Sequence, residues 1–269
     1  LGLSIPETWD EFISVCEKIK AKGIVPLALA AKDGWTLANM ATSQMLPNFV
    51  NGEEWRLKMM EGKDNFLNPG VVKHFELLNK LKEFFPTGYE GVSYTDTQQL
   101  FLSEKAAIFP AGSWEIGYFK ATNPNLDLGL FSTPVVNKGD KKWLSFYPDS
   151  GYAINKKTKF INEAKTYVNW LCGKEGAQAV SNFVPGFFPS NPEVTEIDDA
   201  IAKQWLTYVG DNGANLTQWW PFEKIGAKQP DASTLSQEAM VQMFAGKLTP
   251  EQAAKHVQDG LAKWYEPFK

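Results

Sequence analysis

Two tryptophans follow short apolar segments at points where the chain turns. Trp114 follows the apolar segment 106–109 and a proline–glycine turn, and Trp35 directly follows Asp33 and Gly34. In open α/β sheets, ligands bind at the carboxyl ends of the strands. An indole ring there would be a flat platform for non-covalent binding, and a carboxylate beside it could accept hydrogen bonds from hydroxyl groups. A core tryptophan packed beneath a turn is the alternative, and the residues alone leave both open.

Tryptophan is unusually frequent, with 10 residues in a chain that is 13% aromatic. Five of the ten lie at turns or element ends, outside clean helical patterns: Trp35, Trp114, Trp143, Trp219 and Trp220. Aromatic rings in such places are typical of carbohydrate sites, because the C–H face of a sugar packs on a ring while its hydroxyls need polar groups at the rim. Core packing is the simpler explanation for most of them.

Charge and ligand chemistry exclude several classes of function. The 27 basic and 31 acidic residues give a net charge of −4, without the basic face of a nucleic-acid binder. Cys16 and Cys172 form no CxxC motif, and His74 and His256 stand far apart outside any ligand motif. We therefore expect no metal, no cofactor and no histidine-based catalysis.

Length and composition indicate a globular protein. The 269 residues are 43% hydrophobic and 22% charged, enough for one large domain or two lobes with cores of their own. No apolar run approaches the roughly 20 residues that span a bilayer. The first residues read as the middle of a protein, so we expect a processed or excised chain whose true beginning is missing.

Helices alternate with short apolar strands along the chain, which indicates an α/β fold. The first helix carries a capping box, with Thr8 as N-cap and Glu11 three residues later. Strands are predicted at 24–30, 106–109, 126–131 and 152–155. Helices are predicted at 36–45, 71–84, 97–105, 115–121, 162–172, 177–183, 200–209, 233–245 and 249–264.

These pieces, in this order, resemble extracellular solute-binding protein family 1 of ABC transporters, above all its sugar and oligosaccharide receptors. The motifs that carry the resemblance are Pro6-Glu-Thr-Trp9-Asp-Glu-Phe12, Gly23-Ile-Val-Pro26, Lys32-Asp33-Gly34-Trp35, Gln99-Leu-Phe101, Lys105-Ala-Ala107, Gly112-Ser-Trp114, Gly129-Leu-Phe131, Pro134, Gly151-Tyr-Ala-Ile-Asn155, Glu163-Ala164, Gly173-Lys-Glu-Gly176 and Gly186-Phe-Phe-Pro189. Each is a generic turn or cap, and the resemblance lies in their collinearity over nearly the whole chain.

The resemblance implies the type II periplasmic-binding-protein fold, in which two α/β lobes hold ligand in the cleft between them. This chain would contain mostly the C-terminal lobe and part of the N-terminal lobe. Residues 1–134 and 191–269 would form the C-terminal lobe, and 135–190 would belong to the N-terminal lobe. Roughly a hundred residues of that lobe would be missing at the start, by comparison with typical two-lobe sizes.

The resemblance also implies which residues bind ligand, with Trp114 as a ring beneath a sugar. The full predicted set is Trp35, Asp33, Trp114, Tyr147, Asp149, Ser150, Gly151, Gln218, Trp219 and Trp220. We expect one of the last two tryptophans to pack inward.

The implied function is that of a carbohydrate receptor for an ABC importer, not an enzyme. Its partners would be a sugar or oligosaccharide and the permease subunits, with no nucleic acid, and the receptor would be a monomer. It would be extracytoplasmic, either periplasmic or a lipoprotein anchored at the bacterial cell surface.

Two alternatives remain open. A glycoside hydrolase would need two carboxylates roughly 5–9 Å apart. Asp33, Asp96, Glu115 and Asp149 are candidates, but nothing in the sequence pairs two of them. A receptor for a non-sugar solute, such as a polyamine or peptide, would favour a charged cleft over a tryptophan-rich one.

Overall fold

The structure is a computed structural model that describes residues 1–149, 151–209 and 215–269. Its α-helices are, in chain order, α1 (Trp9–Lys20), α2 (Gly52–Met60), α3 (Pro69–Leu81), α4 (Tyr94–Leu102), α5 (Glu115–Thr122), α6 (Ile161–Cys172), α7 (Lys174–Phe183), α8 (Ala200–Leu206), α9 (Ala232–Phe244) and α10 (Pro250–Ala262). The strands are β1 (Val25–Leu27), β2 (Ala106–Ile108), β3 (Trp143–Phe146) and β4 (Asn215–Gln218). A π-helix spans Thr36–Ser43, and short 3₁₀ helices span Leu46–Asn48, Lys82–Phe84, Trp220–Phe222, Lys224–Gly226 and Glu266–Phe268.

The chain divides into two compact units. Unit 1 comprises Leu1–Pro110, Phe131–Phe146 and Gly210–Lys269, and unit 2 comprises Ala111–Leu130 and Tyr147–Val209. The assignment of residues 1–134, 135–190 and 191–269 to two lobes stays a prediction.

Two parallel strand pairs form the sheets of unit 1. In one, Val25 of β1 pairs with Ala106 of β2; in the other, β3 pairs with β4. The strands predicted at 24–30 and 106–109 are thus present. The outer edge of β3 is paired by a side chain: the buried Asn48 carboxamide accepts from the Trp143 N–H (2.8 Å) and donates to its carbonyl (3.0 Å). One amide therefore satisfies both backbone groups of a buried strand residue.

The predicted strands at 126–131 and 152–155 are wrong. Both segments are irregular in the structure, which assigns no strand among the described residues of unit 2. A strand needs a neighbour for its backbone hydrogen bonds, and an apolar segment without one does not form a ladder.

Local signals set the start of α1 as predicted. The N–H of Glu11 donates to Thr8 Oγ1 and the Glu11 carboxylate accepts from the Thr8 N–H, which is the predicted capping box. The start of α1 is also fixed from outside, because the Trp9 N–H donates to the Val135 carbonyl at 3.0 Å.

The core of unit 1 combines apolar side chains with buried polar groups and the charge of Arg56. Helix α10 packs against α9 and α3, and the rings of Trp55, Phe66 and Trp220 meet edge to face. Beside them the buried Arg56 forms ion pairs with Glu53 and Glu223, and Thr217 Oγ1 donates to Glu53 at 2.9 Å. This network joins α2 to β4 and compensates the buried guanidinium.

Unit 2 has a small core and one uncovered helix. Ile116, Ile197 and Ala202 are buried together. In contrast, no residue of α6 is buried: Tyr167 is 60% and Trp170 45% exposed, and their rings stack at 6.1 Å.

His74, on α3, is fully buried between Phe49 and Phe75, and neither ring nitrogen has a hydrogen-bond partner within the described parts of the chain. Burial lowers the pKa of His74 from 6.5 to about 3. The unfolded chain therefore binds a proton that the folded chain does not, and stability falls as pH falls from about 6.5 toward 3. We expect a loss of up to about 1.4 kcal/mol per pH unit from this residue.

The measurement is urea unfolding at pH 7, 6, 5 and 4.5 for wild type and His74→Leu. The unfolding free energy of His74→Leu should decrease less between pH 7 and pH 4.5 than that of wild type. This difference in pH dependence is expected even if the substitution changes packing and therefore stability at pH 7. His256→Gln, which leaves His74 in place, should retain that loss. Equal pH slopes for wild type and His74→Leu would contradict the assignment.

Candidate functional site

An aromatic row lies at the carboxyl ends of β1 and β2 in unit 1. It consists of Trp35, in the loop after β1, Tyr94, the first residue of α4, and Phe109, directly after β2. The Trp35 and Tyr94 ring centroids are 4.7 Å apart, and those of Tyr94 and Phe109 are 5.8 Å apart. Trp35 is 39% exposed, so the row ends in a partly exposed indole ring.

The sequence predicted Trp35 but missed the other two rings. Phe109 directly follows β2, and its position at the carboxyl end of that strand is the signal that could have found it. Nothing local marks Tyr94, because its contact with Trp35 is made across 59 residues of chain.

Asp33 connects the loop after β1 to the start of α4. Its half-buried carboxylate accepts a hydrogen bond from the backbone N–H of Tyr94 through Oδ2 at 2.6 Å. The other oxygen, Oδ1, has no hydrogen-bond partner in the described portion of the chain. The carboxylate thus holds the aromatic row together and keeps one acceptor oxygen for another group.

The π-helix fixes the backbone that follows Trp35. Thr36 Oγ1 donates to the carbonyl oxygen of Ala30 at 2.7 Å. Further along, Ser43 Oγ donates to the Ala38 carbonyl, five residues earlier, at 3.0 Å. Wide helical turns of this kind are uncommon and often occur at functional sites. Trp35 therefore directly precedes a helix whose first residue is anchored to Ala30.

Helix α9 approaches the same loop with a polar side chain. The carboxamide of Gln237 lies so close to Gly34 that a Cβ at position 34 would overlap it. One turn earlier on α9, Ser233 Oγ lies 3.5 Å from Asn39 Oδ1 of the π-helix. No motif or periodicity marks Gln237, since only tertiary packing brings it to residue 34.

Trp219 and Trp220 are both buried, although we expected one of them to pack inward. Trp220 is 2% exposed and packs against Trp55 (6.1 Å) and Phe66 (5.3 Å). Gln218, the last residue of β4, is half-buried. The contact of these three residues with a ligand stays a prediction.

Trp114 belongs to unit 2, where it is the N-cap residue of α5 and half-buried. Its ring covers Gly112, where a Cβ would overlap the indole. The group that lies against this glycine is therefore the tryptophan that follows it.

The remaining predicted residues also lie in unit 2 or outside the description. Tyr147 Oη donates to Asp149 Oδ1 at 2.6 Å, and burial together with this hydrogen bond raises the pKa of Tyr147 above its ordinary value. Asp149 and Gly151 are exposed. Ser150 lies outside the described residues.

The ten predicted residues are thus divided between the units, with half of them in each. Asp33, Trp35, Gln218, Trp219 and Trp220 lie in unit 1, and the others fall within the bounds of unit 2. Only Asp33 and Trp35 among the first group share one loop, next to Tyr94.

The arrangement suits non-covalent binding through ring contacts and hydrogen bonds. Of the carboxylates proposed for hydrolysis, Asp96 accepts hydrogen bonds from the Ser93 hydroxyl and N–H at the start of α4, and these lower its pKa. Over the ranges 1–149, 151–209 and 215–269, no cluster of His, Cys, Asp and Glu residues could hold a metal ion.

No helix in the described parts of the chain combines the length and the apolar character needed to cross a bilayer.

Asp33→Ala tests the carboxylate's structural role. Because it removes the acceptor for the Tyr94 N–H, we expect about 1 kcal/mol less unfolding free energy in urea. Asp33→Asn keeps an acceptor oxygen and should recover most of the loss. Asp127→Ala, at an exposed carboxylate with no described hydrogen bond, is the control. An Asp33→Ala variant as stable as that control would refute the role.

The sequence profile of the bacterial extracellular solute-binding protein family matches residues 1–178 of the chain. A curated relative, the "Multiple sugar-binding protein" of Streptococcus mutans, is 31% identical over 178 residues, which is 64% of this chain and 42% of the relative. A "Probable sugar-binding periplasmic protein" of Mesorhizobium japonicum is 25% identical over 216 residues, or 77% of this chain and 49% of that protein. The chain thus spans less than half of the length of these two relatives.

Solved structures show the same fold at lower identity. A "Chitin oligosaccharide binding protein" has a TM-score of 0.81 at 22% identity, covering 97% of this chain and 65% of that one. The solute-binding protein RafE, in complex with raffinose, has a TM-score of 0.75 at 23% identity, covering 100% of this chain and 67% of its own.

The predicted family, α/β fold class and extracytoplasmic location are confirmed. The chain belongs to the bacterial extracellular solute-binding protein family.

Proposed function

We propose that this chain carries part of the binding site of a sugar or oligosaccharide receptor that serves an ABC importer. The ligand is held in a cleft between two lobes by stacking on aromatic rings and by hydrogen bonds to its hydroxyl groups. No covalent step is involved, so the protein is a receptor and not an enzyme.

The observation that carries the proposal is that the Trp35 ring and the Asp33 carboxylate both contact the same residue, Tyr94. A pyranose has an apolar C–H face and a polar rim, so it needs a ring and acceptors side by side. Trp35 is partly exposed and is backed by Tyr94 at 4.7 Å. Asp33 Oδ2 is used by the Tyr94 N–H, which leaves Oδ1 to accept from a hydroxyl group.

The names of the relatives support the same ligand class. Besides the proteins described above, a sugar transporter protein of Bacillus licheniformis was solved in complex with stachyose, at 19% identity and a TM-score of 0.77. Those are properties of the relatives. They support sugars, and oligosaccharides in particular, as the first ligands to test here.

Trp114 and the segment around Tyr147, Asp149, Ser150 and Gly151 are proposed as the contribution of unit 2. The Tyr147–Asp149 hydrogen bond, at 2.6 Å, would orient both side chains for a hydroxyl group. Trp219 and Trp220 are buried. We therefore propose that they pack in the core of unit 1 and do not stack on the sugar.

The remaining parts of the proposal concern the whole receptor. The two lobes would close on the sugar by a hinge motion, and the closed form would engage the permease. We propose a monomer, either free in a periplasm or attached to the membrane as a lipoprotein.

The test is a titration with raffinose, stachyose and chito-oligosaccharides, followed by tryptophan fluorescence and calorimetry. We expect saturable binding of one sugar class. Trp35→Ala and Trp114→Ala should each weaken it by about tenfold, because each removes a stacking surface.

Trp170→Ala is the matched control, because Trp170 is a similarly exposed tryptophan on α6, outside the predicted site. It should bind as wild type does. Absence of binding by every sugar in the panel would overturn the proposed ligand class. Normal affinity of the Trp35 variant would remove that ring from the site.

A further inference from the structure

Gln237 occupies the space that a side chain at residue 34 would fill. Its Nε2, Cδ and Oε1 atoms all lie against the Gly34 backbone, where a Cβ would overlap them. Gly34 is the residue between Asp33 and Trp35, so the carboxamide lies against the backbone that carries the candidate acceptor and the candidate platform.

The carboxamide of Gln237 has hydrogen-bonding capacity that the protein does not use. A carboxamide offers two N–H donors and two acceptor sites. Gln237 is half-buried, yet none of the described residues forms a hydrogen bond with either its nitrogen or its oxygen. Three other glutamines of the C-terminal region are engaged: Gln229 donates to Asp231, Gln252 accepts from the Thr249 N–H, and Gln258 accepts from the Phe66 N–H. Gln242 of α9 also has no described side-chain hydrogen bond, so what distinguishes Gln237 is its place against Gly34.

A partly buried polar group that lacks a protein partner is best satisfied by something that enters the site. Water can do this in the free protein, and a ligand hydroxyl can replace it. The neighbouring acceptor, Asp33 Oδ1, is also without a described partner. A carboxylate oxygen and a carboxamide, neither with a described partner, are therefore both associated with the three-residue segment that ends in Trp35.

We infer that Gln237 is a specificity-determining residue of the sugar site, with its carboxamide forming a hydrogen bond to one ligand hydroxyl at the edge of Trp35. This inference rests on the proposed function. Residue 34 must be glycine for this contact, because any side chain there takes the place of the amide.

The role predicts selectivity as well as affinity. A carboxylate is only an acceptor, whereas the carboxamide is both a donor and an acceptor. Together they favour a sugar with hydroxyl groups at both places. A deoxy analogue that lacks the hydroxyl facing Gln237 leaves the amide without its partner and should bind more weakly.

The primary test compares wild type with Gln237→Leu, which keeps the bulk against Gly34 and removes the polar atoms. The tightest-binding sugar of the panel and its monodeoxy analogues are titrated by calorimetry. We expect Gln237→Leu to bind the parent sugar about tenfold more weakly, which is the effect of one lost hydrogen bond. One monodeoxy analogue should bind wild type about tenfold more weakly than the parent sugar does. Gln237→Leu should bind that analogue and the parent sugar with equal affinity.

Gln242→Leu, at another half-buried glutamine of α9, is the matched control and should bind every sugar as wild type does. Gly34→Ala is an independent second variant. Its methyl group displaces the flexible end of Gln237 and should cause about the same loss, and the double variant should be no weaker than either single one. Thermal melts confirm that each variant is folded.

The outcomes separate the two proposals. If no sugar binds wild type, the proposed function fails and this inference fails with it. If wild type binds a sugar while Gln237→Leu matches it on the parent and on every analogue, only the role of Gln237 is overturned. A uniform loss across all analogues would also overturn it, because that result indicates a structural effect without recognition of one hydroxyl.

Discussion

The parallel pairing of β1 with β2 is the constraint on which the aromatic row depends. The Val25 N–H donates to the Lys105 carbonyl (3.1 Å), and the Ala28 N–H donates to the Ile108 carbonyl (2.8 Å). Because the strands run in the same direction, the loops that leave them start at one edge of the pair. This register places Trp35 and Phe109 near each other, so that both rings contact Tyr94.

Hydrogen bonds then turn this proximity into a defined geometry. Asp33 accepts from the first N–H of α4, so the loop after β1 and the helix before β2 are held by one carboxylate. Thr36 Oγ1 fixes the other end of that loop to Ala30. A site built in this way is largely formed before a ligand arrives, which lowers the entropic cost of binding.

Much of the local structure follows from the sequence, whereas the partners within the site do not. The capping box at Thr8 and the strand at 106–109 are encoded by neighbouring residues, and the structure has them. The segment 126–131 has strand-like residues but no partner strand, and it is irregular. Tyr94 and Gln237 reach the Trp35 loop across 59 and more than 200 residues of chain. No periodicity or motif reports such contacts, since they depend on how elements pack.

The two cysteines differ in a way that gives the protein a natural attachment point. Cys16, on α1, is buried, and burial raises the pKa of its thiol to about 12. Cys172, the last residue of α6, is exposed. Only a thiolate reacts readily with maleimide dyes, and access is also required. A fluorophore can therefore be placed on unit 2 of the unmodified sequence, at a residue that does not belong to the candidate site.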